Sequence, residues 1–267
     1  MAVHAHPDDE ASGGGILAAY ADQGVRVIVV TCTNGEFGDA PGGIKPGAEG
    51  HDPAEVARQR LGELRESASI LKVSDVETLG YHDSGMEEWD FKSRPDAFCN
   101  IPLDEVSGRI ADLITKYRPQ VVVSYDDEGA YQHPDHVHAS RAAQAAAAKT
   151  GIPSKVYLST MRGSTWKKVW DALREAGEPV PDMTEDPERA RRSKESEDRI
   201  TTTVDIRPVL ERKRLALFAH GSQINDSWFS KIPPEVTEAV FGYENFIRVT
   251  DTTGAETPED DLFAGLR

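Results

Sequence analysis

A run of β-branched residues constrains the fold of this chain more than any other feature. The segment VRVIVVT at residues 25–31 is typical of a parallel strand that is covered by helices on both faces. It is preceded by a strand pattern at residues 2–5 and by a helical pattern at residues 13–22, which Gly24 closes. These three elements predict a βαβ unit at the start of the chain.

The alternation of strand and helix patterns continues through the first two thirds of the chain. Asp52 followed by Pro53 is a typical helix start, and apolar residues then recur every three or four positions up to Leu71. Further patterns predict strands at 76–80, 121–125 and 155–158, and helices at 103–117, 135–149 and 166–176. This order predicts a Rossmann-like three-layer α/β fold with a mostly parallel central sheet, plus a smaller C-terminal α/β extension.

The last third of the chain is divided by a polar segment. Residues 179–198 are nearly all polar or charged and include three prolines, which favours an exposed linker or flap. A strand at 200–206 and a helix at 208–220 follow, and the tail is predicted to be irregular up to a strand at 246–249. We therefore predict a Rossmann-like core at 1–178, a polar linker or flap at 179–198, and a strand-helix segment at 199–267 that completes the same domain.

The charge of the chain restricts its partners. With 46 acidic and 30 basic residues the net charge is -16, so nucleic acid or an anionic membrane would be repelled, and a small-molecule substrate fits better. Assembly into a homo-oligomer is left open. The two cysteines, Cys32 and Cys99, form no disulfide framework, and neither a membrane span of about 20 apolar residues nor a signal peptide is recognisable. These features predict a cytoplasmic protein.

Two short clusters place metal-binding residue types just after predicted strands. The first, HPDDE at residues 6–10, follows the strand at 2–5, and the second, HPDH at residues 133–136, follows the strand at 121–125. In an open parallel sheet, ligands bind outside the carboxyl ends of the strands, so the two clusters can meet. His6, Asp9 and His136 would then supply the two nitrogens and one oxygen of an open zinc site.

The residues left over in the clusters could move protons. Asp8 and Asp9 are neighbours, so their side chains point in different directions and one can stay free of the metal. Zinc would lower the pKa of a bound water toward about 7, and the free carboxylate would take its proton. His133 could protonate a leaving amine or donate to an oxyanion, Asp135 could pair with His133 and raise its pKa, and Tyr131 is a second oxyanion donor.

Each cluster taken alone has a plainer interpretation. HPDDE could be a solvated turn, and the proline and aspartate of HPDH could be an ordinary helix start. The histidines at 4, 51, 138 and 220 are interpreted as structural or surface residues. Two other classes of protein stay open: a binding protein for a sugar or thiol conjugate, against which the spare Asp8 argues, and a nucleotide-binding domain, against which the acidic start of the first helix argues.

The two motifs resemble those of a known family. AHPDDE at 5–10 and HPDH at 133–136 look like the zinc-dependent N-deacetylases called LmbE-like or PIG-L-like. Other segments resemble the branch of mycothiol deacetylases and mycothiol S-conjugate amidases, namely TCTNGEFGD at 31–39, DSGM at 83–86, YDDEGAYQHPDHVH at 125–138 and DLFAGL at 261–266. The resemblance covers most of the chain and is weaker over 163–197.

The resemblance implies roles for individual residues. It implies zinc ligands, with Fe2+ as an alternative metal, at His6, Asp9 and His136. It implies that Asp8 is the general base, that His133 is an acid or electrostatic stabiliser, and that Tyr131 donates to the oxyanion. It also implies that the sugar and inositol hydroxyls are contacted by Asp39, Arg60 and Asp83, and an exposed helix charge is the alternative interpretation of Arg60.

The resemblance leaves the substrate open. The chain reads ASG after Glu10, which departs from the conjugate amidases, and has a glycine-rich segment, PGGIKPGAEG, at 41–50, which departs from both mycothiol enzymes. We therefore expect a metal-dependent amidohydrolase that cleaves an N-acyl bond on a glucosamine-like amino sugar. N-acetylglucosaminyl-inositol deacetylation and mycothiol S-conjugate hydrolysis are the two reactions considered.

Overall fold

The computed structural model describes residues 1–86, 89–175, 177–178, 180, 187–225, 228–232 and 234–267. Within these residues a seven-stranded sheet crosses the protein. Its strands in chain order are β1 (Ala2–His4), β2 (Ile28–Thr33), β3 (Asp75–Tyr81), β4 (Val121–Tyr125), β5 (Lys155–Thr160), β6 (Thr202–Asp205) and β7 (Tyr243–Asp251). Their spatial order is β3-β2-β1-β4-β5-β7-β6.

Helices cover both faces of the sheet. They are α1 (Asp9–Ser12), α2 (Gly14–Asp22), α3 (Pro53–Ile70), α4 (Leu103–Tyr117), α5 (Gly129–Gln132), α6 (Pro134–Thr150), α7 (Gly163–Glu175), α8 (Pro187–Asp198), α9 (Leu210–Ala219), α10 (Gly221–Ile224) and α11 (Pro234–Phe241). In the part of the chain that the structure describes, none of them is long and apolar enough to cross a membrane.

The strand order creates a crevice above β1 and β4. The first five strands are parallel, and β1 pairs with β2 on one side and with β4 on the other. The chain moves from β1 toward one edge of the sheet and from β4 toward the other, so the segments that follow these two strands face each other at the switch point. The predicted Rossmann-like, mostly parallel sheet is confirmed, with β7 antiparallel between β5 and β6.

The apolar residues of the sheet alternate between two buried layers. Val3 and Val30 pack with α4 and α6 residues such as Ile110 on one face. Ala2 and Val29 pack with α2 and α9 residues such as Leu17 on the other. This period of two is the expected pattern of a strand that is covered on both sides, and it keeps the site loops on a rigid base.

One prediction for the C-terminal third is wrong, that of an irregular tail. Helix α8 lies within the segment predicted as a polar linker or flap, whose role stays a prediction, while residues 179 and 181–186 lie outside the described residues. Ion pairs one turn apart, including Arg191 with Glu195 at 2.6 Å and Lys194 with Asp198 at 2.8 Å, stabilise this polar helix. The tail predicted to be irregular contains α11 and the start of β7. The division of the chain into a core and a C-terminal segment stays a prediction.

A buried ionic cluster attaches the end of the chain to the sheet. Glu259 accepts hydrogen bonds from Lys155 Nζ at 2.5 Å, from the Tyr157 hydroxyl at 2.8 Å and from Arg248 at 2.8 Å. Lys155 is fully buried, so its charge depends on Glu259 for compensation. The cluster lies at the start of β5, away from the crevice at the carboxyl ends of the strands.

Replacing Lys155 with Met should lower the free energy of unfolding by about 3 kcal/mol, because it leaves part of the Glu259 charge uncompensated in a buried place. Equilibrium unfolding in urea measures the change. Lys167→Met provides the control, since it removes the exposed pair with Asp171 and should leave stability close to that of the wild type. Equal losses of unfolding free energy in the two variants would show that the buried Glu259 cluster stabilises the protein no more than the exposed pair does.

Candidate metal centre

The loop after β1 turns sharply at Asp8. This residue has φ 130 and ψ -25, a conformation that is rare for a residue other than glycine, and α1 begins at the next residue, Asp9. The backbone N–H of His6 donates to Asp9 Oδ2 at 2.7 Å, which bends the carboxylate back toward the end of the strand. The two aspartates therefore point in different directions, as the sequence predicts.

The loop after β4 carries the second cluster. Its helix α5 is kinked, because Ala130 and Gln132 have positive φ values of 64 and 68. His133 then caps α6, since its Nδ1 accepts a hydrogen bond from the backbone N–H of Asp135 at 3.2 Å. With proline in the first helical position, His136 falls in the first turn of α6, where the sequence predicts it.

The two loops bring three donor side chains together. His6 Nδ1 lies 3.2 Å from His136 Nε2 and 3.3 Å from Asp9 Oδ2, and His136 Nε2 lies 3.3 Å from Asp9 Oδ1. Both imidazoles are buried. His133 also offers a nitrogen within 4.8 Å of those of His6 and His136.

The donor atoms of these three side chains fit a small divalent cation. Tetrahedral ligands about 2.0–2.1 Å from zinc are about 3.4 Å apart, close to the separations found here. The other ring nitrogen of each histidine has a suitable hydrogen-bond acceptor: His6 Nε2 contacts Asp135 Oδ2 at 3.1 Å, and His136 Nδ1 contacts the Gly129 carbonyl at 3.1 Å. These contacts favour the neutral tautomers that carry their protons on His6 Nε2 and His136 Nδ1, which makes His6 Nδ1 and His136 Nε2 the nitrogens available to a metal ion.

Further buried side chains hold the candidate ligands in place. The Tyr125 hydroxyl donates to Asp9 Oδ2 at 2.7 Å, and its ring stacks on His136 with centroids 4.2 Å apart. Asp135, fully buried, accepts hydrogen bonds from the backbone N–H and the hydroxyl of Ser84 and faces His6. The predicted pairing of the Asp135 and His133 side chains is therefore wrong, because the first turn of α6 points Asp135 toward the end of β1.

The charges of the site favour a cation at its centre. Burial by itself lowers the pKa of His6, but Asp83, Asp135 and Asp9 outweigh burial and hold that pKa well above its usual value. The pKa of Asp9 lies well below its usual value despite burial, because His136 and His6 attract the ionised form. The carboxylates thus create a negative field at the point where the donor atoms converge.

Asp8 is held apart from the candidate ligands by Arg60. The guanidinium is buried and donates to Asp8 Oδ2 at 2.9 Å, to the Pro7 carbonyl at 2.8 Å and to the Gly35 carbonyl at 2.6 Å. The interpretation of Arg60 as an exposed helix charge is wrong. Burial raises the pKa of Asp8 to about 6, and the Arg60 charge opposes that rise.

A second buried network, which the sequence analysis did not identify, supports the same loop. Glu10 Oε2 accepts from the backbone N–H of Asp8 at 3.0 Å, and Glu10 Oε1 contacts His220 Nε2 at 2.6 Å and the Ser67 hydroxyl at 2.5 Å. His220 follows the last residue of α9, and no spacing in the sequence connects it with the first cluster. The fold alone brings these residues together.

His133 and Tyr131 lie next to the candidate ligands. Burial lowers the pKa of His133 to about 2, and because its Nδ1 accepts from the backbone, the neutral ring carries its proton on Nε2. The Tyr131 ring makes edge contacts with His133 and His136 at centroid distances of 5.7 and 5.1 Å and is 53% exposed. Both side chains offer a neutral donor.

The predicted substrate contacts differ in burial. Asp83 is buried with Oδ1 3.6 Å from His6 Nε2, whereas Asp39 is partly exposed and pairs with Lys45 at 2.6 Å. A cavity of about 1350 Å³ borders the site on the side of Asp8, Asp9, Tyr131 and His136. Among the described residues, its lining does not include Asp39, Arg60 or Asp83.

The fold and the site define an α/β protein in which two histidines and one aspartate form a candidate metal centre at the switch point of a parallel sheet. The family model of GlcNAc-PI de-N-acetylase, PIG-L, matches residues 1–147. The chain is also 37% identical, over 100% of its length and 94% of the relative, to the 1D-myo-inositol 2-acetamido-2-deoxy-alpha-D-glucopyranoside deacetylase of Acidothermus cellulolyticus. The chain belongs to the PIG-L family.

Solved structures share the fold. The N,N'-diacetylchitobiose deacetylase from Pyrococcus horikoshii matches with a TM-score of 0.62 and 22% identity over 94% of this chain and 86% of that chain. The zinc-inhibited form of the teicoplanin deacetylase Orf2 matches with a TM-score of 0.57 and 19% identity over 94% of this chain and 99% of that chain. At these identities the likeness concerns the fold alone.

Asp9→Ala should abolish tight binding of one divalent ion, because it removes the oxygen donor and leaves only two imidazoles. Elemental analysis after gel filtration measures the metal content, and the thermal midpoint of the wild type, but not of the variant, should rise when zinc is added to metal-free protein. Asp39→Ala is the control and should retain the metal. A variant at position 9 with full metal content would reject this ligand set.

Proposed function

We propose that this protein is a zinc-dependent amidohydrolase that removes the acetyl group from an N-acetylglucosamine unit linked to inositol. Family membership and the substrate in the name of the Acidothermus relative support the reaction. The donor set of two imidazoles and a carboxylate, with room beside it, is the ligand set of catalytic zinc, and Fe2+ is the alternative metal. The proposed ligands are His6, Asp9 and His136.

One observation carries the hydrolytic function: Asp8 is adjacent to the ligand set but is not part of it. Its carboxylate is held by Arg60 with Oδ2 2.9 Å from the guanidinium and borders the cavity. A spare carboxylate in this place is the group that amide hydrolysis requires as a general base. A protein that only binds a sugar or thiol conjugate has no need of it.

Each side chain of the site has a separate role in the proposed reaction. His6, Asp9 and His136 would hold the zinc ion, which would supply polarisation of the acyl oxygen and a more acidic water. Asp8 accepts a proton from the attacking water and later returns it to the departing amine, so that acetate and a free amino sugar result. His133 Nε2–H and the Tyr131 hydroxyl donate to the oxygen on which negative charge develops. The low pKa of His133 favours this stabilising role over that of general acid.

The residues around the reacting group have supporting roles in this proposal. Asp135 fixes the ring orientation of His6 and acts through it, although the sequence analysis placed it among the catalytic residues. Asp39, Arg60 and Asp83 stay proposed substrate contacts, and the engagement of Arg60 with Asp8 adds a positioning role for it. Hydrolysis of a mycothiol S-conjugate is the competing reaction.

We further propose that the protein acts in the cytoplasm on a small molecule and binds neither nucleic acid nor membranes. The net charge of -16 supports the exclusion of polyanions. The buried free thiol of Cys32 agrees with a reducing compartment.

Asp8→Asn should lower kcat for acetate release from the N-acetylglucosaminyl inositol by about 100-fold or more while the metal stays bound, because the amide cannot accept the proton. Acetate release and metal content are measured on the same preparations. The mycothiol S-conjugate is assayed in parallel and should be the poorer substrate of the wild type. A metal-loaded wild type that releases no acetate, or an Asp8 variant with near-normal kcat, would contradict the proposal.

Arg60→Met should shift the acidic limb of the pH-rate profile to higher pH. Asp8 accepts a proton only when it is ionised, burial raises its pKa, and removal of the opposing Arg60 charge raises that pKa further. The profile of kcat against pH measures the limb, and Arg60→Lys, which keeps the charge, should lie closer to the wild type. If the acidic limb stays in place or moves to lower pH in Arg60→Met, then Arg60 does not lower the pKa of Asp8.

A further inference from the structure

Glu10 joins three distant parts of the chain at one buried carboxylate. The residue has no exposed surface, and both of its oxygens are used. Oε2 accepts from the Asp8 backbone, and Oε1 meets the Ser67 hydroxyl from α3 and His220 Nε2 from the segment between α9 and α10. A buried carboxylate with these partners cannot move without breaking several hydrogen bonds.

The Asp8 backbone depends on this carboxylate. With φ at 130, Asp8 adopts a conformation that persists only when the surroundings hold it in place. Its side chain is bound by Arg60 and its backbone N–H by Glu10, so two separate contacts fix the residue. Glu10 binds the N–H of the Pro7–Asp8 peptide, and Arg60 binds the carbonyl of the same peptide at 2.8 Å.

We propose that Glu10 and His220 are positioning residues for Asp8: His220 holds the Glu10 carboxylate, and Glu10 holds the Asp8 backbone so that the Asp8 carboxylate faces the reacting group. The expected effect on kcat rests on the proposed function, whereas the contacts from His220 through Glu10 to Asp8 do not depend on it. Because His220 lies between α9 and α10, the packing of these two helices should affect the rate of the reaction.

The network acts on Asp8 and not on the metal ligands. Asp9 is held by the Tyr125 hydroxyl and by the His6 backbone, and His136 by the Gly129 carbonyl. None of these contacts passes through Glu10 or His220. Loss of the His220 contact should therefore change the rate of the reaction and leave the metal in place.

The test compares His220→Leu with His220→Gln in the full-length, metal-loaded protein. The Leu variant removes the donor to Glu10, whereas the Gln side chain places an amide N–H at the position of His220 Nε2. We expect kcat to fall about 100-fold in the Leu variant, since a displacement of a catalytic group by about 1 Å has an effect of this size. KM and metal content should stay near their wild-type values, and the Gln variant should recover most of the rate.

A matched control separates positioning from general loss of stability. Glu259→Gln alters another buried carboxylate that joins distant segments, at the opposite end of the strands from the site. It should lower the thermal midpoint without changing kcat at temperatures where the protein is folded. The assays are therefore made well below the midpoint of each variant.

Hydrogen exchange in the metal-free protein tests the structural part without any assay of activity. The Asp8 amide should exchange faster in His220→Leu than in the wild type and close to the wild-type rate in His220→Gln, because its acceptor is loosened only in the first variant. Faster exchange at Asp8 in a protein whose wild type hydrolyses no amide would uphold the positioning contact and reject only the proposed function.

Three results would overturn the inference. The first is an unchanged kcat in a folded, metal-loaded His220→Leu variant. The second is loss of metal in proportion to loss of rate, which would place the effect on the ligands. The third is unchanged exchange of the Asp8 amide.

Discussion

The rest of the structure depends on three side chains, His6, Asp9 and His136, whose donor atoms two loops hold 3.2–3.3 Å from one another. The loops leave adjacent parallel strands, β1 and β4, at the point where the chain changes its direction across the sheet. The buried layers on both faces fix these strands, and the strands fix the loops. A negative field from carboxylates with few compensating cations makes the arrangement favourable only for a proton or a metal ion at its centre.

Asp8 and Asp9 are neighbours in sequence but are supported by different parts of the protein. Tyr125 and the His6 backbone orient Asp9, whereas Arg60 and Glu10 hold Asp8. The positive φ of Asp8 separates the two carboxylates, so one can act as a ligand and the other can remain free. A single short motif can therefore serve two chemical purposes because long-range contacts hold each residue separately.

The sequence predicts the part of this arrangement that depends on local pattern. Apolar periodicity identifies the parallel strands, the proline after His133 identifies the start of α6, and the position of each cluster after a strand identifies the crevice. Contacts between distant segments leave no such pattern, so the partner of Asp135 is predicted incorrectly and His220 is missed. Helix α8 is missed for another reason: its stability comes from ion pairs along a polar surface and not from an apolar face.

X-ray absorption spectroscopy of the zinc-loaded protein tests the central claim most directly. The account predicts one zinc per chain with two imidazole nitrogens and oxygen donors at about 2.0–2.2 Å and without sulfur, and loss of one imidazole contribution in His136→Ala. A zinc ion coordinated by sulfur, or a spectrum that is unchanged in the His136 variant, would contradict it.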